Sequence, residues 1–581
     1  MSVNQSNLSG TKYGYDMVVS VTQQALNSHL KAWVEGNSTT SFTQVWMMDS
    51  SSLNPVQKDY EEVKQLLGGL DPFCVGENDT ADIKTMFDKY FWFGFQAELG
   101  TPTGAHISSA DIPPIVQFNE QGVGSHVTYN MLFKSFKIVN LKMGRSAAQS
   151  KWAVFDQSTE SMPWVFKFDV DLDLRDATLD VNKLPPSTQK EIKNLGPDMF
   201  SLKQLFLDLN NAYLSSLPKS PTIKNLNNYM CGGHLMPYIE SLRASIEKSG
   251  GGTLGSSAVA QSSIKLPTAT FIPTDLNFEI SSYKDANGQT DTNEQAAYTL
   301  NYLVMGYKHQ MPPAVPFTWN WVDSDQLNQY SGTVAIRKEV FVDFLYNIFS
   351  KALSNLYAVP QAQTACTCSE GATYEFNLKV PSNPSPQEFQ KINQGDHLLT
   401  YSFNPPGCND SAQATCSDGT QLKSKISVAY SVQSDVYLKG NQITVKTTSK
   451  IYGDMKSSDT KGSHYWGVEV SGDFANFTDT RTFTLSTDSQ GKLSVTHGGV
   501  GLVDDSSKPD HEQFEHICSN MNESVRTRLA DMVKGYEGEI FDGLNSAYGW
   551  VFPGGQTFAF KDVAFSDSQD LVSNVNYKDI E

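Results

Sequence analysis

An internal repeat divides this 581-residue chain into two halves and limits the folds that it can adopt. Residues 17–30 align without a gap on residues 332–345, and apolar positions coincide while polar ones differ. The coinciding pairs are Val19/Val334, Val21/Ile336, Ala25/Val340, Leu26/Phe341 and Leu30/Leu345. Segments 270–278 and 557–565 form a second pair, with Thr-Phe, Asp and Phe at matching positions. The separation exceeds the roughly 20–50-residue periods of solenoids, so it indicates a duplicated globular domain. Chance similarity between two amphipathic helix starts is the alternative.

Length and composition agree with two large domains. A content of 39% hydrophobic and 11% aromatic residues is enough to fill substantial cores. Single β-rich domains commonly reach about 200–250 residues. We therefore predict a first domain at residues 1–285, a connector that contains a strand and aromatic residues at 286–331, and a second domain at 332–581.

The charge balance excludes some partners. A net charge of −19 disfavours nucleic-acid binding, which needs clustered lysines and arginines, and it repels anionic membranes except at a local patch of opposite sign. No nucleic-acid partner is expected.

The first 16 residues contain no positive segment followed by an apolar run, and no stretch approaches the roughly 20 apolar residues of a spanning helix. The sequence therefore predicts a soluble chain, cytoplasmic as synthesised. Release by a route that needs no signal peptide is left open.

Four of the seven cysteines are close in sequence: Cys366, Cys368, Cys408 and Cys416. They lack the paired spacing of common zinc sites, and the two thiols of Cys-Thr-Cys are too close in sequence for the usual geometry. No metal is predicted. Loop disulfides and free thiols in a reducing compartment are the two alternatives.

Periodicity predicts the main elements of the first half. Val18, Val21, Ala25 and Trp33 recur at helical spacing, which predicts an amphipathic helix from Asp16 to Trp33. Strict alternation over residues 164–174 predicts a half-buried antiparallel strand. A second long helix is predicted over about 226–247, followed by a glycine-rich flexible linker that includes Gly250, Gly252 and Gly255.

The second half repeats this plan. A helix is predicted at 338–357 with a broad apolar face, and a long helical region at about 512–544. Strands are predicted between them at 373–380, 398–403, 426–438, 442–451 and 465–474.

The connector contains a candidate strand at 298–307 and then a short aromatic segment. Phe317, Trp319 and Trp321 share one side of an extended chain, so we expect them to seal the two domains together. A membrane-inserting aromatic loop is the alternative. The aromatic run at 90–95 presents the same choice and is interpreted as a buried strand.

The order of helix, meandering strands, second helix and returning strand resembles that of the tubular lipid-binding superfamily. Three segments resemble the accessory proteins encoded beside clostridial neurotoxins and their bacterial and fungal relatives: GYDMVVSVTQQALN at 14–27, SLKQLFLDLNNA at 201–212 and FTWNWVD at 317–323. This resemblance covers nearly the whole chain. It implies an α+β fold of two tandem domains, each a strongly curved antiparallel sheet wrapped on long amphipathic helices. It also implies lipid or hydrophobic-ligand binding, with some relatives tied to toxin complexes.

Three motifs that suggest catalysis or metal binding do not have the required context. His511 and His516 are five residues apart, whereas a zinc-binding His-Glu-x-x-His motif needs four. The glycines at 250–255 follow a helix, but a dinucleotide fingerprint follows a strand. Asp169, Asp171 and Asp173 alternate with apolar residues, so they are expected on a solvated sheet face. We predict no enzymatic activity and no cofactor.

The leading functional prediction is a non-enzymatic protein that binds a lipid or another hydrophobic small molecule in a groove of each domain. The alternative is a structural or chaperone-like subunit of a toxin or secreted complex, with filled grooves and a protein partner. The candidate groove residues are Val18, Val21, Ala25, Phe341, Phe344, Ile348, Ala352, Met521, Val525, Leu529 and Met532.

Overall fold

The structure is a computed structural model. Its described residues are 2–36, 41–104, 106–119, 126–177, 180–183, 189, 192–193, 200–209, 212–216, 231–248, 252–261, 273–306, 309–353, 361–369, 371–379, 389–488, 491, 493–507, 550–551 and 556–579. They form a mixed fold that is rich in antiparallel sheet.

The α-helices of the described residues are short. They are α1 (Gln23–Gly36), α2 (Tyr60–Leu66), α3 (Thr80–Asp88), α4 (Met236–Lys248) and α5 (Lys338–Leu353). The longest of these, α5, has 16 residues. Long helices are therefore not found in this part of the chain, and the predicted helix at 512–544 lies outside the described residues. No described helix is long and apolar enough to cross a membrane.

Antiparallel strands make up most of the remainder. In chain order they are β1 (Met17–Thr22), β2 (Ser41–Met48), β3 (Pro55–Lys58), β4 (Phe91–Leu99), β5 (Val116–Phe118), β6 (His126–Met131), β7 (Phe133–Lys142), β8 (Lys151–Asp156), β9 (Phe166–Ala177), β10 (Phe200–Leu207), β11 (Tyr213–Ser216), β12 (Thr253–Ala260), β13 (Asp275–Ser281), β14 (Thr299–Met305), β15 (Gly332–Ile336), β16 (Gln361–Thr367), β17 (Thr373–Lys379), β18 (Gln390–Gln394), β19 (His397–Phe403), β20 (Cys408–Thr415), β21 (Gln421–Lys439), β22 (Gln442–Lys461), β23 (His464–Thr487), β24 (Leu493–Asp504), β25 (Trp550–Val551), β26 (Gln556–Phe565) and β27 (Leu571–Asp579).

One six-stranded sheet, here called the central sheet, contains strands from both halves in the order β13-β14-β1-β15-β27-β26. The repeated segments of the sequence meet at its middle, where Val19 of β1 lies opposite its repeat partner Val334 of β15. Of the second repeated pair, residues 275–278 lie in β13 and residues 557–565 in β26, at the two edges of the sheet. The sheet order is thus symmetric about the β1–β15 ladder. The division into two domains stays a prediction.

The predicted helix start at Asp16 is wrong, because residues 17–22 form β1 and α1 begins only at Gln23. Val18, Val19, Val21 and Thr22 are β-branched, which favours a strand. The strand is buried on both faces, so its apolar residues show no alternation that would have identified it.

A buried ion cluster closes one end of the β1–β15 ladder. Asp16 is 2% exposed and its carboxylate accepts a 2.6 Å bond from the Arg337 guanidinium. His309 Nδ1 lies 2.7 Å from the other carboxylate oxygen, which also accepts a bond from the Gly306 backbone amide. These contacts tie residues that flank β1, β14 and β15 to one another.

Two further sheets have seven strands each. The first has the order β25-β12-β10-β9-β6-β5 with β11 beside β9, and the second has the order β18-β19-β21-β22-β23-β24 with β20 beside β21. The predicted alternation in the first is confirmed, because Phe166, Phe168 and Val170 are buried while Asp171 and Asp173 are exposed. A five-stranded sheet, β3-β2-β4-β7-β8, contains residues 91–95 of the aromatic run, which are buried as predicted, whereas Tyr90 lies in the turn before β4 and is exposed.

The flexible linker predicted around Gly252 and Gly255 is wrong, because residues 253–260 form β12. Gly255 is required by close packing rather than by flexibility. A Cβ at this position would overlap the hydroxyl of Tyr302, which donates a 3.0 Å hydrogen bond to the Leu254 carbonyl.

The aromatic connector covers one face of the central sheet. Phe317, Trp319 and Trp321 are between 1% and 4% exposed and pack with Val18 and Leu303. Their rings contact one another at centroid distances of 4.9–5.4 Å. The expectation that they form a seal fits this burial, and the membrane-inserting alternative does not.

A polar row crosses the central sheet beneath this connector. Glu279, Asn301, Ser20 and Thr333 lie side by side on adjacent strands. The Glu279 carboxyl group accepts hydrogen bonds from Ser281 Oγ at 2.7 Å and Asn301 Nδ2 at 2.5 Å, and Ser281 Oγ accepts from the Phe317 amide at 3.0 Å. Burial raises the pKa of the Glu279 carboxyl to about 8.

Glu279→Gln is expected to change how stability depends on pH. In the unfolded chain the carboxyl loses its proton above about pH 4.5, whereas the folded chain keeps it until about pH 8. The unfolding free energy of the wild type should therefore fall as pH rises through this window. The variant should match the wild type near pH 4.5 and exceed it by at least about 1 kcal/mol at pH 8, measured by urea unfolding. The same pH profile for both proteins would contradict the prediction; exposed Glu240→Gln is the control.

The four clustered cysteines combine both predicted alternatives. Cys368 and Cys416 form a disulfide with Cα atoms 5.6 Å apart, while Cys366 and Cys408 are free thiols. The disulfide joins the β16–β17 hairpin to the turn after β20.

The disulfide closes a loop with a sequence separation of 48 residues. Replacing both cysteines with serine should lower the unfolding free energy by about 2–4 kcal/mol, because the cross-link restricts the unfolded chain. Thermal unfolding under non-reducing conditions measures this. Cys408→Ser is the control and should change little; an unchanged melting temperature of the double variant would show that the bond does not form.

Candidate ligand-binding cavity

A cavity of about 700 Å³ lies in the first half, between α1, the segment 99–115 and β6. Ile246 of α4 and the turn at 295–296 complete its wall. The lining residues are Gln23, Gln24, Asn27, Ser28, Lys31, Trp33, Val34, Leu99, Gly100, Thr101, Ile112, Pro113, Pro114, Ile115, Tyr129, Asn130, Leu132, Ile246, Gln295 and Ala296. Its volume is in the range of small-molecule sites, roughly 300–1,000 Å³.

The two faces of α1 have different surroundings: one packs in the hydrophobic core and the other borders the cavity. Ala25, Leu26 and Leu30 are buried and pack in the main hydrophobic core. Asn27 and Lys31, which follow one another at helical spacing, lie in the cavity wall. The helix therefore separates the packed core from the cavity.

Polar side chains of α1 hold the short strand β5 against the helix. Asn27 Nδ2 donates to the Val116 carbonyl at 2.7 Å, and the Val116 amide donates back to Asn27 Oδ1 at 2.8 Å. The Phe118 amide donates to Gln23 Oε1 at 2.6 Å. These side chains pair with the strand edge much as a neighbouring strand would, so β5 stays in place without a further strand beside it.

Asn130 fixes the opposite wall in a similar way. Its backbone amide donates to the Ile115 carbonyl and its Nδ2 donates to the Pro114 carbonyl, both at 2.7 Å. The proline-containing segment therefore has its carbonyl groups satisfied by protein. Ile112, Pro113 and Ile115 give this wall its apolar surface.

The electrostatic character of the lining is simple. Among the lining residues only Lys31 carries a charge, and it forms no ion pair with a described residue. Burial raises the pKa of the Tyr129 phenol, so this side chain stays neutral. The site thus combines an apolar wall with one cation at an exposed position on α1.

A smaller cavity of about 340 Å³ lies on the other side of Gln24 and Ser28. It is bordered by residues 327–331 of the connector and by Asn576 and Tyr577 of β27. Gln24 Nε2 donates to the Leu327 carbonyl at 3.3 Å and to Asn328 Oδ1 at 3.1 Å. This contact joins α1 to the connector between the two cavities.

The predicted groove residues occupy different places. Val18 lies beneath the aromatic connector and Val21 lies in the main core, on opposite faces of β1. Ala25 borders the smaller cavity. Phe341, Phe344 and Ile348 of α5 are at most 2% exposed and pack in the main core. None of these six lines the larger cavity.

The side chains of the remaining five candidates lie outside the part of the chain that the structure describes. Ala352 falls within α5, but its side chain lies outside the described set. Met521, Val525, Leu529 and Met532 lie outside the described residues altogether. As ligand-binding residues, all of these candidates stay predictions.

Asn27 and Lys31 carry little sequence signal of a binding site. They interrupt the apolar pattern of α1 and look like ordinary solvent-facing positions. The usable signal was the segment Ile112-Pro113-Pro114-Ile115, an apolar stretch that cannot form regular structure and so needs a special environment.

Asn27→Ala tests how the wall is held. The substitution leaves the backbone amide and carbonyl of Val116 without their side-chain partner, which should cost about 1–3 kcal/mol of stability. Hydrogen exchange at the Val116 amide should become markedly faster. Ser28→Ala on the same helix is the control; equal protection in both variants would mean that Asn27 does not hold β5.

No protein-family model matches the chain, and no curated protein matches it in sequence. Among solved structures, it is similar to the crystal structure of a lipopolysaccharide binding protein. That match covers 98% of this chain and 100% of the other, with 12% sequence identity and a TM-score of 0.29. Identity and TM-score at this level assign neither a fold nor a function to the chain.

Proposed function

We propose that this protein binds a hydrophobic or amphipathic small molecule, such as a lipid, without catalysing a reaction on it. The observation that carries the proposal is the cavity of about 700 Å³ beneath α1, with its largely apolar lining. Cavities of this size and character bury most of the surface of a bound small molecule.

The arrangement of polar groups favours an amphipathic ligand. Both polar atoms of the Asn27 amide are bonded to backbone groups of the wall, and so is Asn130 Nδ2. The buried Asn130 Oδ1 has no hydrogen-bond partner among the described residues, so it is an acceptor that a polar group of the ligand can use. Lys31 and Ser28 are exposed at the solvent side of α1. An apolar chain inside the cavity would leave a polar end near these side chains.

We propose further that the fold is that of the tubular lipid-binding superfamily. The support comes from the internal repeat, the symmetric order of the central sheet and the pairing of Val19 with Val334. Membership of the accessory proteins of neurotoxin gene clusters rests on the three segments at 14–27, 201–212 and 317–323, and is proposed on those residues alone.

The second half gives a specific reason to keep the structural or chaperone-like alternative. Phe341, Phe344 and Ile348 of α5 are packed in the core rather than around an open groove. A protein that works through its surface alone would bind no ligand in the second half, where the core is packed, and none in the cavity of the first half.

The disulfide is relevant to the cellular compartment in which the protein functions. Structural disulfides persist in oxidising compartments and are rare in the cytosol. The Cys368–Cys416 bond therefore supports release after cytoplasmic synthesis rather than permanent residence there.

Ser28→Trp is expected to abolish or strongly weaken binding of a fluorescent fatty acyl probe. Ser28 borders both cavities, and its replacement by a large indole would occupy the space between α1 and the wall. Ser28 is exposed, so the stability cost should stay within about 0.5 kcal/mol. Fluorescence titration should show saturable binding by the wild type and at least about a tenfold higher dissociation constant for the variant.

Ala32→Trp provides a matched control, because Ala32 is exposed on the same helix but does not line either cavity. It should bind the probe like the wild type. No saturable binding by the wild type would favour the alternative function. Equal binding by both variants would place the ligand elsewhere.

A further inference from the structure

The longest hairpin of the described residues ends in two exposed aromatic side chains. Strands β22 and β23 pair from Gln442 to Lys461 and turn at Gly462, which has a φ of +60°. Immediately after the turn, Tyr465 is 74% exposed and Trp466 is 50% exposed. The residues from 461 to 467 are all exposed.

This exposure is unusual within the chain. The described tryptophans at positions 46, 92, 152, 164, 319 and 321 are each less than 10% exposed. A tyrosine and a tryptophan placed next to each other in water lose the stabilisation that burial of their rings would bring. Packing within the chain therefore does not explain why these two side chains are exposed.

The end of the hairpin contacts two neighbouring turns. Lys461 Nζ lies 2.6 Å from an Asp418 carboxylate oxygen in the turn after β20. The Cys368–Cys416 disulfide joins that turn to the β16–β17 hairpin, and the ring of Tyr374 from β17 stacks on Trp466 at 6.4 Å. Three turns are thus joined into one unit, here called the aromatic tip.

The local charge of the aromatic tip differs from that of the whole chain. By sequence, residues 367–374, 416–425 and 454–469 together contain four lysines and five acidic residues, a net charge of −1, whereas the whole chain has a net charge of −19. Lys461 is paired with Asp418 and Lys456 with Glu469. The aromatic tip therefore adds little Coulombic repulsion from a lipid surface.

We propose that the aromatic tip docks on the surface of a membrane with zwitterionic headgroups. Tyrosine and tryptophan favour the membrane–water interface, where the ring meets apolar matter and the polar atom stays hydrated. A stable protein partner needs a contact area of roughly 1,000 Å² or more, which is poorly matched by two side chains at a narrow turn. A lipid surface has no such requirement, because it adapts to a small wedge.

The proposal does not depend on the cavity. A protein whose cavity is blocked by Ser28→Trp should still dock, and a protein that binds no acyl probe could still do so. The two proposals can therefore fail separately.

The test is flotation of the full-length, non-reduced protein with vesicles of pure phosphatidylcholine. The wild type should float with the vesicles. The double variant Tyr465→Ser, Trp466→Ser should show a partition coefficient lower by at least about tenfold, equivalent to about 1.4 kcal/mol. Tyr465→Ser alone should give an intermediate loss, and it removes no ring contact of the tip.

Tyr452→Ser is the matched control. Tyr452 is 42% exposed on the same hairpin but lies nine residues from Lys461, roughly 30 Å along the strand. It should leave flotation unchanged within about twofold. Melting temperatures within a few degrees would show that all variants are folded.

Three outcomes would overturn the proposal. These are a wild type that stays in the protein fraction and does not float, a double variant that floats as well as the wild type, and a Tyr452→Ser variant that floats as poorly as the double variant. Self-association of the wild type that is lost in the double variant, measured by light scattering without vesicles, would instead make the tip an interface between copies of this chain.

Discussion

The backbone pairing of β1 with β15 is the interaction on which the rest of the structure depends. It places Val19 opposite Val334 and makes a single sheet from strands that lie more than 300 residues apart in sequence. Both strands are buried on both faces, so separating them would expose apolar side chains and unpaired backbone groups together. The ion cluster around Asp16 fixes the register at one end. The helices α1 and α5 follow directly from these two strands, so their positions are set by the same pairing.

The repeat could be detected in the sequence because apolar positions of a buried strand change little while their polar neighbours vary. Its secondary structure could not be assigned from the same residues. Val18, Val21 and Ala25 fit a helical period, yet the first two belong to a strand whose full burial removes the alternation. The later strands were easier, since β21 and β22 alternate between buried and exposed residues over most of their length. The predicted strands at 426–438 and 442–451 are shorter than β21 and β22, whose remaining residues include charged side chains such as Lys423 and Lys456.

The cavity was harder to predict than the fold, for a physical reason. Its wall is assembled from α1, the segment 99–115, β6 and α4, which no local pattern connects. Asn27 and Asn130 are polar residues whose role is to satisfy backbone groups of an irregular segment, and that role depends on distances between separate elements. The apolar residues with the clearest periodicity, such as Phe341 and Phe344, were instead used to fill the core. Strong periodicity marks packing surfaces, whereas an open site interrupts it.

Strand β25 has a consequence for how the chain is made. Trp550 and Val551 pair with Ser257 and Ser256 of β12, so part of the edge of a sheet built from the first half is covered by residues of the second half. During synthesis that edge stays open until residues 550 and 551 have left the ribosome, almost 300 residues after β12. An open strand edge readily pairs with other chains, and folding intermediates of large proteins aggregate in this way. A nascent chain that stalls before residue 550 therefore exposes an unpaired strand edge that promotes aggregation. Efficient production then depends on rapid synthesis up to β25 or on protection of β12 by a chaperone.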